Sequence, residues 1–429
     1  MRPARHDQPA RAPGLAAWRQ AEDAAGKCRQ PVRIRGRQTE CDPATGEIIA
    51  ITDSSDQPGG CIEIPCGNRR AAACPSCSRI YKGDTYQVMI AGLSGGHGIP
   101  AGVASHPAVF ATLTAPSFGP VHRGPGKPGQ NPPRCRPRRD KPLCRHGLAV
   151  SCGQRHQDGD PLTGQPLCVS CFDYQQAVLF NASVPALWNQ TTHALRSQLA
   201  ASTGLTQRAL RQQLRLSFGK VIEYQHRGLI HIHAVIRIDG PEGPGDPPPA
   251  WADTTLLRTA VTTAAAMPSV TLPHPATHGT LTLAWGRQAD IRIVRRDTTG
   301  ELDACKVAAY VAKYSSKSTE DCGGIPRPIR AAADLDDWHV TPHARRMIIT
   351  CWQLAQRPEY ASLRLAEWAH QLGYGGHFST RSRRYSVTLG SRRQHRRDTR
   401  TTWTRQQHGL PAQPGIITAD WHYAGQAGP

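Results

Sequence analysis

The chain has 429 residues, of which 38% are hydrophobic, so it can bury at least one core, while its 40 Gly and 36 Pro indicate long connections. Its 52 Lys and Arg outnumber its 32 Asp and Glu, giving a formal charge of +20, and such an excess favours a polyanionic partner such as nucleic acid. Because no run of about 18 apolar residues occurs, the composition excludes a membrane span.

The N-terminal region is expected to begin without fixed structure. Residues 1–27 are basic and lack the apolar core of an export signal, which predicts a disordered lead on a cytoplasmic protein. The next region, 28–81, is rich in Cys and turn-forming residues and contains strand-like segments at 32–36 and 47–52. In a reducing cytoplasm, paired cysteines indicate zinc more often than disulfides.

A first zinc site is predicted within this Cys-rich region. Cys74 and Cys77 form a C-x-x-C pair, a spacing that lets both thiolates reach one tetrahedral ion. Cys66 is a third ligand at suitable spacing, and either Cys28 or Cys61 can supply the fourth. A closed four-thiolate site has no open coordination position, so its zinc is expected to be structural.

A β-strand and a basic linker come before the second Cys-rich segment. The strand-like V-F-A-T-L-T at 109–114 ends at Ala115-Pro116, and the linker at 123–142 is rich in Pro, Gly and Arg. A second C-x-x-C pair then indicates another structural zinc site. Its predicted ligands, for which His146 and His156 are alternatives, are Cys144, Cys152, Cys168 and Cys171.

The segment 216–239 is predicted to form a β-hairpin with Arg227-Gly228 at its turn. Its second strand alternates, so that His231 and His233 lie on one face, roughly 7 Å apart along the backbone. Two imidazoles converging from one strand indicate a divalent-metal site. The opposite, core-facing residues are Ile230, Ile232, Ala234, Ile236 and Ile238.

Glu223 is expected to complete that metal site. If the turn centres on Arg227, residues 223 and 231 have equal offsets from it, which places Glu223 across from His231 on the same face. One carboxylate and two imidazoles leave positions open for phosphate oxygens on a catalytic ion. A slip of one residue would move Glu223 to the wrong face.

A helix is predicted over 301–317, with Tyr310 and Tyr314 four residues apart on one face and Lys313 beside them. A phenol has a pKa of about 10 and is therefore a weak nucleophile. It can attack a phosphate if nearby cations favour the phenolate and a metal polarises the phosphate. Taken alone, such a helix favours simple packing of two rings. Its combination with the His pair favours catalysis.

The remaining elements are mostly helical. Helical patterns occur at 185–213, 251–266 and 338–372, and a strand is predicted at 289–294. Between 381 and 405 there are nine Arg against one Asp, which is typical of a segment that contacts phosphates.

Several of these motifs resemble a known superfamily. H-I-H at 231–233, Y-V-A-K-Y at 310–314 and F-A-T-L-T at 110–114 are similar to the motifs of the HUH endonucleases. Over most of its length the chain resembles the actinobacterial RepSA-type plasmid replication initiators. Among the matching stretches are C-R-Q-P-V-R-I-R-G from Cys28, T-L-T-A-P-S-F-G-P-V-H from Thr112 and H-Q-L-G-Y-G-G-H-F-S-T from His370.

The resemblance implies an α+β fold, namely an HUH-type antiparallel sheet with helices, zinc-ribbon elements and a helical, basic C-terminal region. It implies rolling-circle initiation, in which a tyrosine nicks the plasmid double-strand origin and leaves a 5′-phosphotyrosyl link and a free 3′-OH. Tyr314 is then expected to make the first cut, with Mg²⁺ or Mn²⁺ as the catalytic ion, and Cys28 is favoured as the fourth zinc ligand.

The partners implied are double- and single-stranded origin DNA, with the host helicase and polymerase. A zinc-ribbon DNA-binding regulator would explain the charge and the cysteines but not the His and Tyr motifs together, while a transposase or relaxase would share the chemistry. The predicted divisions are a lead at 1–27, a zinc-binding region at 28–81, the start of the catalytic domain at 82–122, a linker and zinc-ribbon insertion at 123–172, the main catalytic region at 173–322 and a DNA-binding region at 323–429.

Overall fold

The computed structural model describes residues 28–126, 131–140, 142–295, 302–329, 331–336, 338–407, 409–411 and 413–426. The predicted lead at 1–27 lies outside these residues. The chain forms two compact units. One contains the described residues up to Val88 and from Val387 onward, and the other is Met89–Ser386.

The structure is mixed α and β, with antiparallel sheets. The strands are β1 (Val32–Cys41), β2 (Ile48–Asp53), β3 (Ile62–Ile64), β4 (Ala108–Leu113), β5 (Arg215–Tyr224), β6 (Ile230–Asp239), β7 (Ser269–Pro273), β8 (Thr280–Ala284), β9 (Ala289–Arg295), β10 (Leu302–Asp303), β11 (Ser379–Arg381) and β12 (Ile416–Gln426). The helices are α1 (Pro75–Ser94), α2 (Tyr174–Thr203), α3 (Gln207–Gln213), α4 (Thr254–Ala266), α5 (Ala304–Ser315), α6 (Pro342–Ala355) and α7 (Leu389–Gln407). Within the described residues, no helix has both the length and the apolar character needed to span a membrane.

The first unit joins the two ends of the described chain in one sheet. Strand β1 pairs antiparallel with β12, β2 and β3. A buried ion pair supports it, because Arg405 lies 2.8 Å from a Glu40 oxygen that also accepts the Gly415 N–H at 2.7 Å. Burial alone would raise the pKa of Glu40, but these partners hold it below its ordinary value. The sequence patterns had not indicated β12.

The second unit is built on a six-stranded sheet in the order β10-β9-β4-β6-β5-β11. All pairings except β10 with β9 are antiparallel, and the predicted hairpin forms β5 and β6 next to β4. The alternating apolar face of β6 is buried as predicted and packs with apolar residues of α2 and α4. One face of the sheet is therefore committed to the core.

The opposite face of β6 is polar but also largely covered. Near the hairpin turn, where His231 and His233 lie, helix α5 packs against β5, β6 and β9. Near the other end, Arg237 and Asp239 are fully buried. Asp239 accepts hydrogen bonds from Arg237 at 2.6 Å and Ser217 at 2.6 Å, and its other near partner is His106 at 2.8 Å. The polar face of β6 thus carries the His231–His233 site near the hairpin turn and a buried ionic network near its other end.

The helical pattern predicted over 338–372 is only partly correct. Its first half forms α6, but the later stretch contains short 3-10 turns instead of a regular helix. Arg364 and Leu372 adopt left-handed backbone conformations, with φ of 50° and 51°. Such residues cannot continue the i to i−4 hydrogen-bond ladder, so the apolar spacing there serves an irregular segment.

We expect Asp239→Ala to lower the free energy of unfolding by about 3–5 kcal/mol, because it leaves the Arg237 charge buried without its carboxylate. The matched control is Asp290→Ala, which breaks a similar Arg–Asp pair with Arg292 whose Asp is 54% exposed, and should cost about 1 kcal/mol or less. Urea unfolding followed by tryptophan fluorescence measures both. Equal losses would mean that the buried network adds no stability.

Candidate active site

The His231–His233 face is assembled by the register of β5 against β6. Glu223 pairs directly with His231, the register predicted from the turn. The imidazole centroids of His231 and His233 lie 4.5 Å apart, and Glu223 Oε2 is 3.2 Å from His233 Nε2. Lys317 Nζ is 3.4 Å from the other Glu223 oxygen. All three predicted metal ligands therefore lie together on one face of the sheet.

Threonines at the end of β4 and directly after it lie next to Nδ1 of both imidazoles. Thr112, which pairs with His233 across the sheet, places its hydroxyl 3.2 Å from His233 Nδ1, and Thr114 Oγ1 is 3.4 Å from His231 Nδ1. The Gln225 amide nitrogen is also 3.2 Å from His231 Nδ1. Partners on Nδ1 fix the ring orientation, so Nε2 of each ring is the candidate ligand atom and must give up its proton to bind a metal.

The donor set fits a divalent cation in its chemistry, since it combines one carboxylate with two imidazoles. Its ligand atoms lie farther from one another than those of the cysteine clusters. Three sets of described residues have all their ligand atoms within 4.8 Å of one another, and the set of Glu223, His231 and His233 is not among them. Here Glu223 bonds to His233, while His231 faces Thr114 and Gln225.

The electrostatics of the site favour the ligand forms of these groups. Burial lowers the pKa of His231 to about 3, with a further contribution from His233, so its imidazole is neutral at physiological pH. Burial would raise the pKa of Glu223, but the hydrogen bond to His233 and the Lys317 charge hold it below its ordinary value. The site therefore presents an ionised carboxylate beside a neutral imidazole.

Helix α5 brings both predicted tyrosines to this face. Its apolar side, including Val307 and Val311, is buried, which turns Tyr310 and Tyr314 toward the His pair. The ring of His233 has its centroid 4.8 Å from that of Tyr310 and 5.2 Å from that of Tyr314. The two phenol rings are 4.6 Å apart, and Tyr310 is 37% exposed.

The tyrosines are protonated in this environment. Burial raises the pKa of both, and the Glu223 charge raises both further. The hydrogen bond between their hydroxyls offsets part of the rise at Tyr310 and adds to it at Tyr314. Lys313 and Lys317 place their ammonium groups 5.6 Å and 4.9 Å from the Tyr314 ring centroid. The two ammonium groups therefore lie near the Tyr314 ring, while burial remains the main cause of its raised pKa.

The structure brings the first predicted cysteine set together in the first unit, with ligand atoms close enough for one metal ion. Its members are Cys28, Cys66, Cys74 and Cys77. Sulfur–sulfur distances of 3.7 Å, 3.7 Å and 3.8 Å match the roughly 3.8 Å edge of a tetrahedron with Zn–S bonds of about 2.3 Å. Cys61, the alternative fourth ligand, instead accepts a hydrogen bond from Arg35.

Of the second predicted set, the structure brings together three cysteines and His146, one of the two alternative ligands, in place of Cys152. Cys144, Cys168 and Cys171 form a cluster with His146, whose Nδ1 is 3.2 Å from Cys171 Sγ and 3.5 Å from Cys168 Sγ. Cys152 is not part of it. Backbone bonds from Cys135 N–H to Gln154 and from Gly153 N–H to Cys135 hold Cys152 in a different cluster. The spacing of the cysteines along the sequence does not predict these backbone hydrogen bonds.

The comparisons with known proteins agree with the resemblance. The sequence profile described as "RepSA: Replication initiator protein, pSAM2" matches residues 14–428. The chain belongs to the RepSA replication initiator family. A relative, "Replication initiator protein" of Streptomyces ambofaciens, is 43% identical over 427 residues, covering 97% of this chain and 88% of the relative. No solved structure matches the chain.

Sequence reasoning on this RepSA-family chain had not assigned Thr112, Thr114 or Gln225 to the site. The sequence does contain a signal for the threonines, because Thr112 in β4 and Thr114, directly after it, are two residues apart and so point to the same face. Which strand they pair with depends on contacts more than 100 residues apart along the chain. Gln225, two residues beyond Glu223, lies where the hairpin turn begins.

Proposed function

We propose that this protein starts rolling-circle replication of a plasmid by nicking one strand of the double-strand origin. The observation that carries the proposal is the meeting of Tyr310 and Tyr314 with Glu223, His231 and His233 on one sheet face. Membership of a replication initiator family supports it independently. The antiparallel sheet with the His motif on an inner strand and the tyrosines on a covering helix supports an HUH-type fold.

The proposed reaction is a transesterification. A tyrosine Oη attacks the scissile phosphorus, the bond from phosphorus to the 3′ oxygen breaks, and a 5′-phosphotyrosyl link forms. The phenolic proton is lost and the departing 3′ oxygen gains one, which leaves a 3′-OH that can prime synthesis. One phosphodiester replaces another, so no nucleotide cofactor is consumed.

Glu223, His231 and His233 would hold the catalytic Mg²⁺ or Mn²⁺. Such an ion, when bound, polarises the scissile phosphate and balances the Glu223 charge that disfavours a phenolate. The chain itself supplies orientation through Thr112 and Thr114, which fix the two rings.

The two tyrosines permit two successive cuts. We assign the first to Tyr314, following the resemblance, and the lysine ammonium groups near its ring support that order. Tyr310, on the same helix face and more exposed, is placed to cut again after one round. The second covalent link would allow the displaced strand to be closed and released.

DNA binding is assigned to the basic surfaces. Helix α7 carries exposed arginines, among them Arg393, Arg397 and Arg400, that are suited to neutralise phosphates without reading bases. Zinc in the cysteine clusters would be structural, because their ligand sets are complete. Cytoplasmic location and cooperation with the host helicase and polymerase remain part of the proposal.

His231→Ala combined with His233→Ala should lower nicking of a supercoiled origin plasmid by roughly 100-fold or more, since metal assistance contributes several kcal/mol to phosphoryl transfer. The control is His274→Ala with His278→Ala, at the turn between β7 and β8, where His274 is half-buried and His278 exposed, and it should nick normally. Agarose gels with Mg²⁺ or Mn²⁺ measure conversion to open circles. Equal activity of both double variants would remove the His pair from catalysis.

Tyr310→Phe and Tyr314→Phe each keep the ring and remove one hydroxyl, so folding should be nearly unchanged. Each single variant should retain some nicking but fail to complete plasmid replication, and the double variant should form no covalent DNA adduct. Tyr423→Phe, at an exposed tyrosine of β12, is the control and should behave as the unmodified protein. Adduct formation by the double variant would refute tyrosine attack.

A further inference from the structure

A third set of metal-type ligands occurs in the second unit. His122, Cys135, Cys152 and His156 have their ligand atoms within 4.8 Å of one another. His122 Nδ1 is 3.1 Å from His156 Nε2, which in turn is 3.5 Å from Cys152 Sγ. Tetrahedral zinc with ordinary bond lengths has corresponding edges of about 3.3 Å and 3.6 Å. The set therefore has the size of one zinc ion's coordination shell.

Hydrogen bonds from outside the set orient two of these ligands. His156 is almost fully buried, and its Nδ1 lies 2.7 Å from an Asp160 carboxylate oxygen. An Nδ1–H donated to that carboxylate leaves the Nε2 lone pair directed at the cluster, as in carboxylate–histidine–zinc arrangements. Cys135 is fully buried, and its sulfur accepts the Arg123 backbone N–H at 3.2 Å, which fixes its position in the cluster.

The ligands of this set alternate along the chain with those of the neighbouring cluster. Each cluster takes two pairs of ligands, and the pairs follow one another in turn. The order is His122 and Cys135 in the first, Cys144 and His146 in the second, Cys152 and His156 in the first, and Cys168 and Cys171 in the second. Each metal would thus close a loop that contains a ligand pair of the other.

We propose that residues 122–171 bind two zinc ions in a cross-braced arrangement, with the additional ion on His122, Cys135, Cys152 and His156. Together with the ion on the Cys28, Cys66, Cys74 and Cys77 cluster of the first unit, the chain then carries three structural zinc ions. Because the loops interlock, loss of one ion in the cross-braced pair frees the loop that presents ligands to the other. The two ions should therefore leave together.

The cross-braced segment is attached directly to the active-site hairpin. The Arg227 guanidinium at the turn donates at 2.8 Å each to the carbonyls of Ala115 and Pro116, in the chain that leads from β4 into the cross-braced segment. Gly164, with φ of +84°, approaches the His226 backbone so closely that a Cβ would lie 2.3 Å from it. The inferred zinc pair thus braces the turn that sets the register of Glu223 with His231.

The test is metal content of the full chain by mass spectrometry after exhaustive gel filtration. Unmodified protein should hold three zinc ions and Cys135→Ser at most two, while Cys305→Ser, at an exposed cysteine outside the clusters, should hold three. Two ions in unmodified protein and an unchanged count in Cys135→Ser would overturn the additional site. This count is independent of nicking, so its failure is distinct from failure of the proposed reaction.

A ligand exchange keeps the test valid if Cys135→Ser does not fold. His122→Cys should retain three metal ions, and its Co²⁺ form should gain thiolate-to-metal charge-transfer absorption relative to unmodified protein. An unchanged cobalt spectrum would mean that residue 122 is not a ligand. In chelator competition, two of the three ions should leave in one cooperative step, and three independent steps would refute the cross-brace.

Discussion

The site depends above all on the register between β5 and β6. Side chains in a strand alternate between faces, so Glu223 joins His231 and His233 only because it pairs directly with His231. A slip of β5 by one residue would bury the carboxylate among the isoleucines of β6 and turn the apolar side chains of β5 to the opposite face. Two features oppose such a slip. The apolar face is packed into the core, and Arg227 ties the turn to the carbonyls that follow β4.

A second constraint is the burial of so many polar groups on the other face. Glu223 and Asp239 are both shielded from solvent, which would raise their pKa values. In each case hydrogen bonds and a nearby cation hold the pKa below its ordinary value, so both are ionised. In the Asp239 network the partners Arg237, Ser217 and His106 are themselves buried, which suits a structural role. At Glu223 the partners are themselves candidate ligands and Lys317. That difference distinguishes a closed ionic network from a site that can exchange a partner for a ligand.

The sequence predicted well where the signal is local. Alternation along β6, the offset of Glu223 from the turn and the spacing of Tyr310 and Tyr314 are all short-range patterns, and each has the expected placement in the structure. Long-range partners were harder to predict. Cys152 was grouped by spacing alone, although a backbone pairing near Cys135 separates it from its predicted partners. Strand β12 was missed because its pairing with β1 joins opposite ends of the chain.

The most direct test of the central claim is the identity of the residue that becomes linked to DNA. The protein would be incubated with origin DNA and Mg²⁺, the adduct trapped in denaturant, trimmed with nuclease and digested with trypsin. Cleavage after Lys313 separates Tyr310, in peptide 307–313, from Tyr314, in peptide 314–317. We predict a nucleotide 5′-phosphate on peptide 314–317 after the first cut. Adducts on neither peptide would contradict tyrosine nicking at this site.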